Sequence, residues 1–200
     1  MNIKKFGNDK DLKVWQSFKK GDNQAFAYIY QQNIDILSNY GFRFSQDQEI
    51  IKDAIHDMFI DLWKNKKKLS DTPLIKSYLL KAFRRNLTKK LIQKKKVVNI
   101  EDFLEGQAFA LELSPEIKLI EVETLAERSQ QLEAELGKLP PRQKESIFLR
   151  FYGNLSYDEI SEVMNINHQS VYNLISKALE ALKSNVKFSV FLFTLINHLD

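Results

Sequence analysis

Apolar positions recur at helical spacing along most of this chain, and the interruptions between them define the elements. Leu12, Val14, Trp15 and Phe18 follow Asp9 and Asp11, either of which can cap a helix start. Gly21-Asp22 punctuates the chain. Asp22 is placed to cap a second helix that bears Ala25, Phe26, Ile29 and Tyr30 and continues through Ile36, Leu37 and Tyr40. Gly41 and Ser45 then mark a break. A helix from about Asp47 to Leu69 stacks Ile51, Ile55, Met58, Phe59 and Leu62 on one side. Pro73 breaks the chain again, and the helix that follows, from about Leu74 to Lys96, buries Leu79, Leu80, Phe83 and Leu87.

From Val97 to about Leu136 the periodicity weakens, with Gly106 and Pro115 interrupting an acidic stretch that reads as a linker. Leu139-Pro140-Pro141 opens a fresh domain, since proline suits the first helical turn. Its helices are expected over Pro141 to Phe151, Tyr157 to Met164 and His168 to Lys183. Ser156 with Glu159 forms a capping box, and Asn165-Ile166-Asn167 makes a turn. The expected fold is all-α: two small helical domains over residues 10–96 and 136–184, an acidic linker over 97–135, and an apolar tail over 185–200 read as helical.

The net charge of +4 matters less than its distribution. Lys64 to Lys96 holds thirteen Lys or Arg against the single acid Asp71, whereas Glu101 to Glu135 holds ten acids against Lys118 and Arg128. A basic block followed by an acidic one suits a polyanion-binding surface and a connector that avoids or mimics the polyanion. A solvated lysine-rich helix face is the plainer alternative.

Composition excludes several classes. The chain has no Cys and only three His, so a disulfide framework or a thiolate metal site is out of reach. No Gly-rich phosphate loop, nucleophile elbow or metal-ligand cluster points to an enzyme or a cofactor. His56 with Asp53 and Asp57 could be forced into a metal site, but on a solvated helix such a trio is more often polar surface. The basic N-terminus lacks the apolar stretch of a signal peptide, and the run Phe188 to Ile196 is far below the roughly 18 residues of a membrane span, so a cytoplasmic protein is expected.

Three surfaces carry candidate chemistry. The helix from His168 buries Val171, Leu174, Ile175, Ala178, Leu179 and Leu182 and leaves Gln169, Ser170, Tyr172, Asn173, Ser176 and Lys177 outward. A short helix, a tight turn and a longer helix with polar side chains at its start is the arrangement that reads base edges in a major groove. An ordinary helical hairpin is the competing explanation. On the basic helix, Lys81, Arg84, Arg85, Lys89 and Lys95 are expected on an outer arc as a phosphate footprint, near the Pro73 loop. Tyr78 and Phe83 are candidates for stacking on unpaired bases, although Phe83 sits at the centre of the apolar stripe. On the preceding helix, Asp53, His56, Ile60 and Trp63 share a flank away from the core, beside Asp57 and Lys64. That flank suits a protein partner, with simple packing of Trp63 on a neighbouring helix as the alternative.

The motifs in order, Gly21-Asp22-x-x-Ala25-Phe26, Asp53-Ala54-Ile55-His56-Asp57-Met58-Phe59-Ile60-Asp61-Leu62-Trp63 and Ala82-Phe83-Arg84-Arg85-Asn86-Leu87, resemble domain 2 of the extracytoplasmic-function sigma factors. Leu139-Pro140-Pro141-Arg142-Gln143 and Leu155-Ser156-Tyr157-Asp158-Glu159-Ile160 through Leu182 resemble domain 4 of that family, a branch of the sigma-70 family. The resemblance implies a sigma factor rather than an enzyme. By it, Asp53, His56, Asp57, Ile60 and Trp63 would bind the clamp of core RNA polymerase. Lys81, Arg84, Arg85, Asn86 and Lys89, with the Pro73 loop, would open and read the −10 element. His168, Gln169, Ser170, Tyr172, Asn173, Ser176 and Lys177 would read the −35 element, while domain 4 engages the polymerase flap. The acidic linker would thread the path of nascent RNA. A membrane-linked anti-sigma factor is a further partner the family allows. His56 departs from the family's usual Gln, the reading helix has fewer bases than many relatives, and the tail from Phe188 lies beyond the pattern. A conventional helix-turn-helix regulator, binding an operator without polymerase, is the alternative.

Overall fold

Side-chain caps set the helix boundaries. The Asp22 carboxylate accepts from the backbone N–H groups of Gln24 at 2.8 Å and Ala25 at 3.3 Å, and the Asp47 carboxylate from those of Glu49 at 3.1 Å and Ile50 at 3.2 Å. These bonds satisfy donors that a helix start leaves open. The computed structural model describes residues 3–95, 109–110 and 134–183. The chain divides into two compact units, the first essentially residues 1–100 and the second essentially the remainder. The first holds α1 (Ile3–Lys19), α2 (Asn23–Phe44), α3 (Gln48–Asn65), a 3-10 turn (Lys66–Lys68) and α4 (Ile75–Lys95). The second holds α5 (Pro141–Ile147), a π-helical turn (Phe148–Tyr152), α6 (Tyr157–Met164) and α7 (His168–Lys183). Every regular element among the described residues is helical, so the fold is all-α as expected.

In the first unit the predicted stripes of α3 and α4 are buried, whereas of those on α1 and α2 Leu12, Val14, Phe26 and Ile36 are half-buried and Tyr30 is exposed. Trp15, Phe18, Ile29, Leu37, Tyr40, Ile51, Leu79, Leu80, Phe83 and Leu87 form its interior. Two boundaries differ from the sequence reading. Helix α1 begins at Ile3, ahead of Asp9 and Asp11. Helix α2 runs through Gly41 and ends at the Ser45 cap, so Gly41 is not a break. A Cβ on Gly41 would lie 2.8 Å from Ile51 Cγ2 and 3.0 Å from Phe83 Cζ. The glycine is there for close approach, letting the side chains of α3 and α4 touch the backbone of α2.

In the second unit the capping box forms in both directions. The Ser156 N–H donates to Glu159 Oε2 at 2.8 Å, and the Glu159 N–H donates to Ser156 Oγ at 3.3 Å. The turn after α6 uses Asn165 at φ 53°, a left-handed conformation that Asn tolerates. Asn167 Oδ1 accepts the Ser170 N–H at 2.7 Å and so caps α7. The bounds of α6 and α7 match the sequence reading, whereas the expected helix to Phe151 loses α-geometry at Phe148.

Within the stretch read as a linker, Phe109 is buried: it is 3 % exposed, its ring edge-on to Phe148 with centroids 6.0 Å apart. The rest of 97–133 and the tail 185–200 lie outside the described residues.

Replacing Gly41 by Ala gains up to about 1 kcal/mol of helix propensity. It also forces a methyl into a space already filled by Ile51 and Phe83, an overpacking that costs typically 1–3 kcal/mol. Gly41→Ala is therefore expected to lower the denaturation midpoint of the protein. A rise in that midpoint would mean that the core yields around the new methyl.

Candidate polymerase and nucleic-acid interface

Helix α3 sorts its acids onto one line. Glu49, Asp53, Asp57 and Asp61 follow one another at intervals of four residues, and all four are exposed. His56 is exposed beside them and Ile60 is half-buried. Asp57 reaches across to Lys90 of α4 at 2.7 Å, and that lysine holds its carboxyl below the usual carboxylate range. Asp53, His56 and Asp57 thus stand displayed as expected.

Trp63 does not. It is half-buried, with its ring centroid 5.0 Å from that of Phe26 and 6.2 Å from that of Phe18. Lys66 Nζ covers it 3.9 Å from the ring centroid. The helical wheel gave the direction of Trp63 correctly but could not show that the α1–α2 corner sits beside that flank. The alternative weighed for it, packing on a neighbouring helix, is the one observed.

Helix α4 carries the opposite sign. Lys81, Arg85 and Lys89 are exposed at intervals of four, and Asn86 is half-buried. Arg84 is not on the outer arc, being only 7 % exposed. It belongs to the stripe Leu80, Phe83, Leu87, Thr88 and Leu91, all buried, and its charge disguised that register. Lys95 has no described side chain. Tyr78 is also withdrawn from any role in stacking on bases: it is half-buried edge-on to Trp15, with centroids 5.1 Å apart, and burial raises its hydroxyl pKa. Phe83 is fully buried core.

The two surfaces meet. An open cleft of about 430 Å³ is lined by Asp57, Ile60, Asp61 and Lys64 of α3 and by Asn86, Lys89, Lys90 and Gln93 of α4. Two residues expected at the polymerase and two expected at the DNA therefore share one depression. No group of three His, Cys, Asp or Glu among the described residues could hold a metal.

On α7, His168, Gln169, Tyr172, Asn173 and Lys177 are exposed, while Ser170 and Ser176 are half-buried. Gln169 Nε2 donates to Asn173 Oδ1 at 3.0 Å, so two groups able to pair with an adenine edge hold each other. Tyr157, at the start of α6, gathers His168 and Tyr172 at centroid distances of 5.7 and 6.4 Å. Arg150 lies 5.4 Å from the Tyr157 ring and donates to the Leu155 carbonyl at 2.8 Å. Sequence reasoning missed Tyr157 and Arg150 as supports of the start of α7, because neither falls on an apolar stripe.

The helix-turn-helix geometry has a counterpart in sequence: residues 129–182 match the family model for sigma-70, region 4. The similarity extends well beyond that region. The chain is 22 % identical over 156 residues to the ECF RNA polymerase sigma factor SigM of Bacillus subtilis (strain 168), covering 78 % of this chain and 91 % of SigM. It is 26 % identical over 178 residues to SigW of the same organism, covering 84 % of this chain and 92 % of SigW. The family model and both relatives support an extracytoplasmic-function sigma factor. Solved structures agree on the fold. One is CnrH in complex with the cytosolic domain of CnrY, with a TM-score of 0.56 at 14 % identity, covering 88 % of this chain and 97 % of that one. Another is the sigma factor RpoE of Bartonella quintana in complex with the anti-sigma factor NepR, with a TM-score of 0.56 at 15 % identity, covering 81 % and 96 %. Similarity across both units favours a sigma-factor function over a regulator that works without polymerase.

Three carboxylates of the first unit are held below the ordinary value of 3.8: Asp47 by Lys94, Asp57 by Lys90, and Asp71 by Lys19 and Gln16. A depressed native value means that the stabilisation is complete above 3.8 and is lost as pH falls from there through the native values. Melting temperature is expected to fall over that range, and less steeply at high salt because these pairs are exposed. An unchanged acid slope in an Asp47→Asn, Asp57→Asn, Asp71→Asn variant would assign the effect to other carboxylates.

Proposed function

We propose a division of labour in which the α3 line docks on core polymerase and α4 with the loop before it engages the −10 element, while the start of α7 reads the −35 element. The observation that carries it is the sorting of exposed charge in the first unit: Glu49, Asp53, Asp57 and Asp61 along α3, and Lys81, Arg85 and Lys89 along α4, a helix with no acid. A line of acids attracts a basic protein surface and repels phosphate, and a line of bases does the reverse. Residues 10–96 are then the domain that binds the clamp and melts DNA. Residues 136–184 bind the flap and the upstream element, and the acidic stretch 97–135 connects them along the path of the transcript. Arg84 leaves the set of DNA contacts, and Trp63 acts by holding the α3 flank against α1 and α2.

The chain supplies recognition and catalyses no step itself; the polymerase does the chemistry. We place its action in the cytoplasm; among the described residues no helix is long and apolar enough to cross a membrane. An anti-sigma factor is a further partner in this reading, as NepR is for the Bartonella quintana protein.

The double variant Asp53→Ala, His56→Ala tests the docking face, since both side chains are exposed and neither fills the core. Affinity for core polymerase is expected to fall about tenfold or more, an order set by charged groups at protein interfaces, while the melting temperature holds. Trp63→Ala should instead lower the melting temperature. Wild-type binding by the double variant would move the docking face elsewhere.

A further inference from the structure

The segment between α3 and α4 is tied to α1, more than fifty residues earlier in the chain. Trp15, wholly buried, donates from Nε1 to the Ser70 carbonyl at 2.9 Å. The next residue of α1, Gln16, donates from Nε2 to Asp71 Oδ2 at 3.1 Å, and one turn on Lys19 Nζ approaches Asp71 Oδ1 to 2.5 Å. The ends of the segment are fixed separately. Lys66 donates to the Trp63 carbonyl at 3.1 Å, and Thr72 Oγ1 accepts the Leu74 N–H at 3.0 Å.

Asp71 is the single acid among thirteen bases between Lys64 and Lys96. A bare carboxylate there would repel phosphate and weaken the surface that the bases build. Lys19 offsets its charge and Gln16 adds a hydrogen bond, and its lowered pKa records their effect. Lys67, Lys68 and Ser70 stay exposed on the same segment. The acid thus fixes the loop without subtracting from its positive face.

We infer that Asp71, held by Lys19 and Gln16, is a positioning residue for strand opening, which sets the shape of the loop from Lys66 to Pro73 so that it can trap an unpaired strand. The inference rests on the reading of that loop as part of the −10 surface. Preorganisation matters here because a loop ordered only when DNA opens must lose its freedom at that step, which weakens the capture.

The test uses holoenzyme and a promoter fragment that the wild-type holoenzyme selects from genomic DNA. The fragment is prepared as a duplex and as a copy mismatched through the −10 segment. Opening is read as permanganate reactivity of unpaired thymines, beside core affinity and the melting temperature of the free protein. Asp71→Ala is expected to reduce opening of the duplex about three- to tenfold, the order of one exposed ion pair and one hydrogen bond to a charged group. On the mismatched copy the loss should shrink to about twofold or less, because the strands are already apart; core affinity should not change. The charge exchange Lys19→Asp, Asp71→Lys should recover most of the opening. If Asp71→Ala also lowers stability markedly, Lys19→Met makes the same comparison with the Gln16 bond intact. Equal losses on both templates would overturn the inference. So would a loss from Lys67→Ala, Lys68→Ala but none from Asp71→Ala, which would leave the −10 reading of the loop standing. No loss from either would remove that reading and the inference with it.

Discussion

The contact on which the first unit depends is the one at Gly41, where Ile51 of α3 and Phe83 of α4 both lie against the backbone of α2. With three helices that close, the side chains between them must be apolar and tightly fitted, and Leu79, Leu80, Phe83 and Leu87 are at most 1 % exposed. Each such side chain contributes on the order of 1.5–3 kcal/mol by leaving water. Charge is driven to the outer faces, so α3 shows its acids and α4 its bases. The sorting that serves function follows from the packing: α3 and α4 pack on each other and keep only one face each for display.

The second unit solves a different problem with fewer residues. Helix α6 is 8 residues long, too short to be stable by itself, so its start is fixed by the reciprocal Ser156–Glu159 bonds. Helix α7 buries Val171, Ile175, Ala178 and Leu182 and keeps the opposite side polar. Tyr157 then leans on His168 and Tyr172, so the exposed start of α7 is shaped from the helix before it. Gln169 and Asn173 satisfy each other through one hydrogen bond.

Much of this was legible in the sequence because caps and periodicity are local signals. Asp22, Asp47 and the Ser156–Glu159 box mark helix starts where the structure has them, and the apolar stripes of α3, α4 and α7 are the buried ones. Legibility failed where a residue's role is set by something distant. Gly41 looked like punctuation because the approach of Ile51 and Phe83 cannot be seen along the chain. Trp63 and Arg84 were assigned by direction and charge, yet one meets Phe18 and Phe26 and the other extends the buried stripe. Phe109, in an acidic stretch, is held by a ring from the second unit. The α1–loop ties at Ser70 and Asp71 were likewise out of reach.

The central claim is that this chain confers promoter choice on core polymerase through the two surfaces of its first unit and the reading helix of its second. Run-off transcription on a genomic fragment library, with core polymerase in the presence and absence of this protein, tests it most directly. Discrete transcripts that appear only when the protein is added, from starts sharing paired upstream elements, are the predicted result. An unchanged transcript pattern, together with operator binding by the free protein, would contradict it.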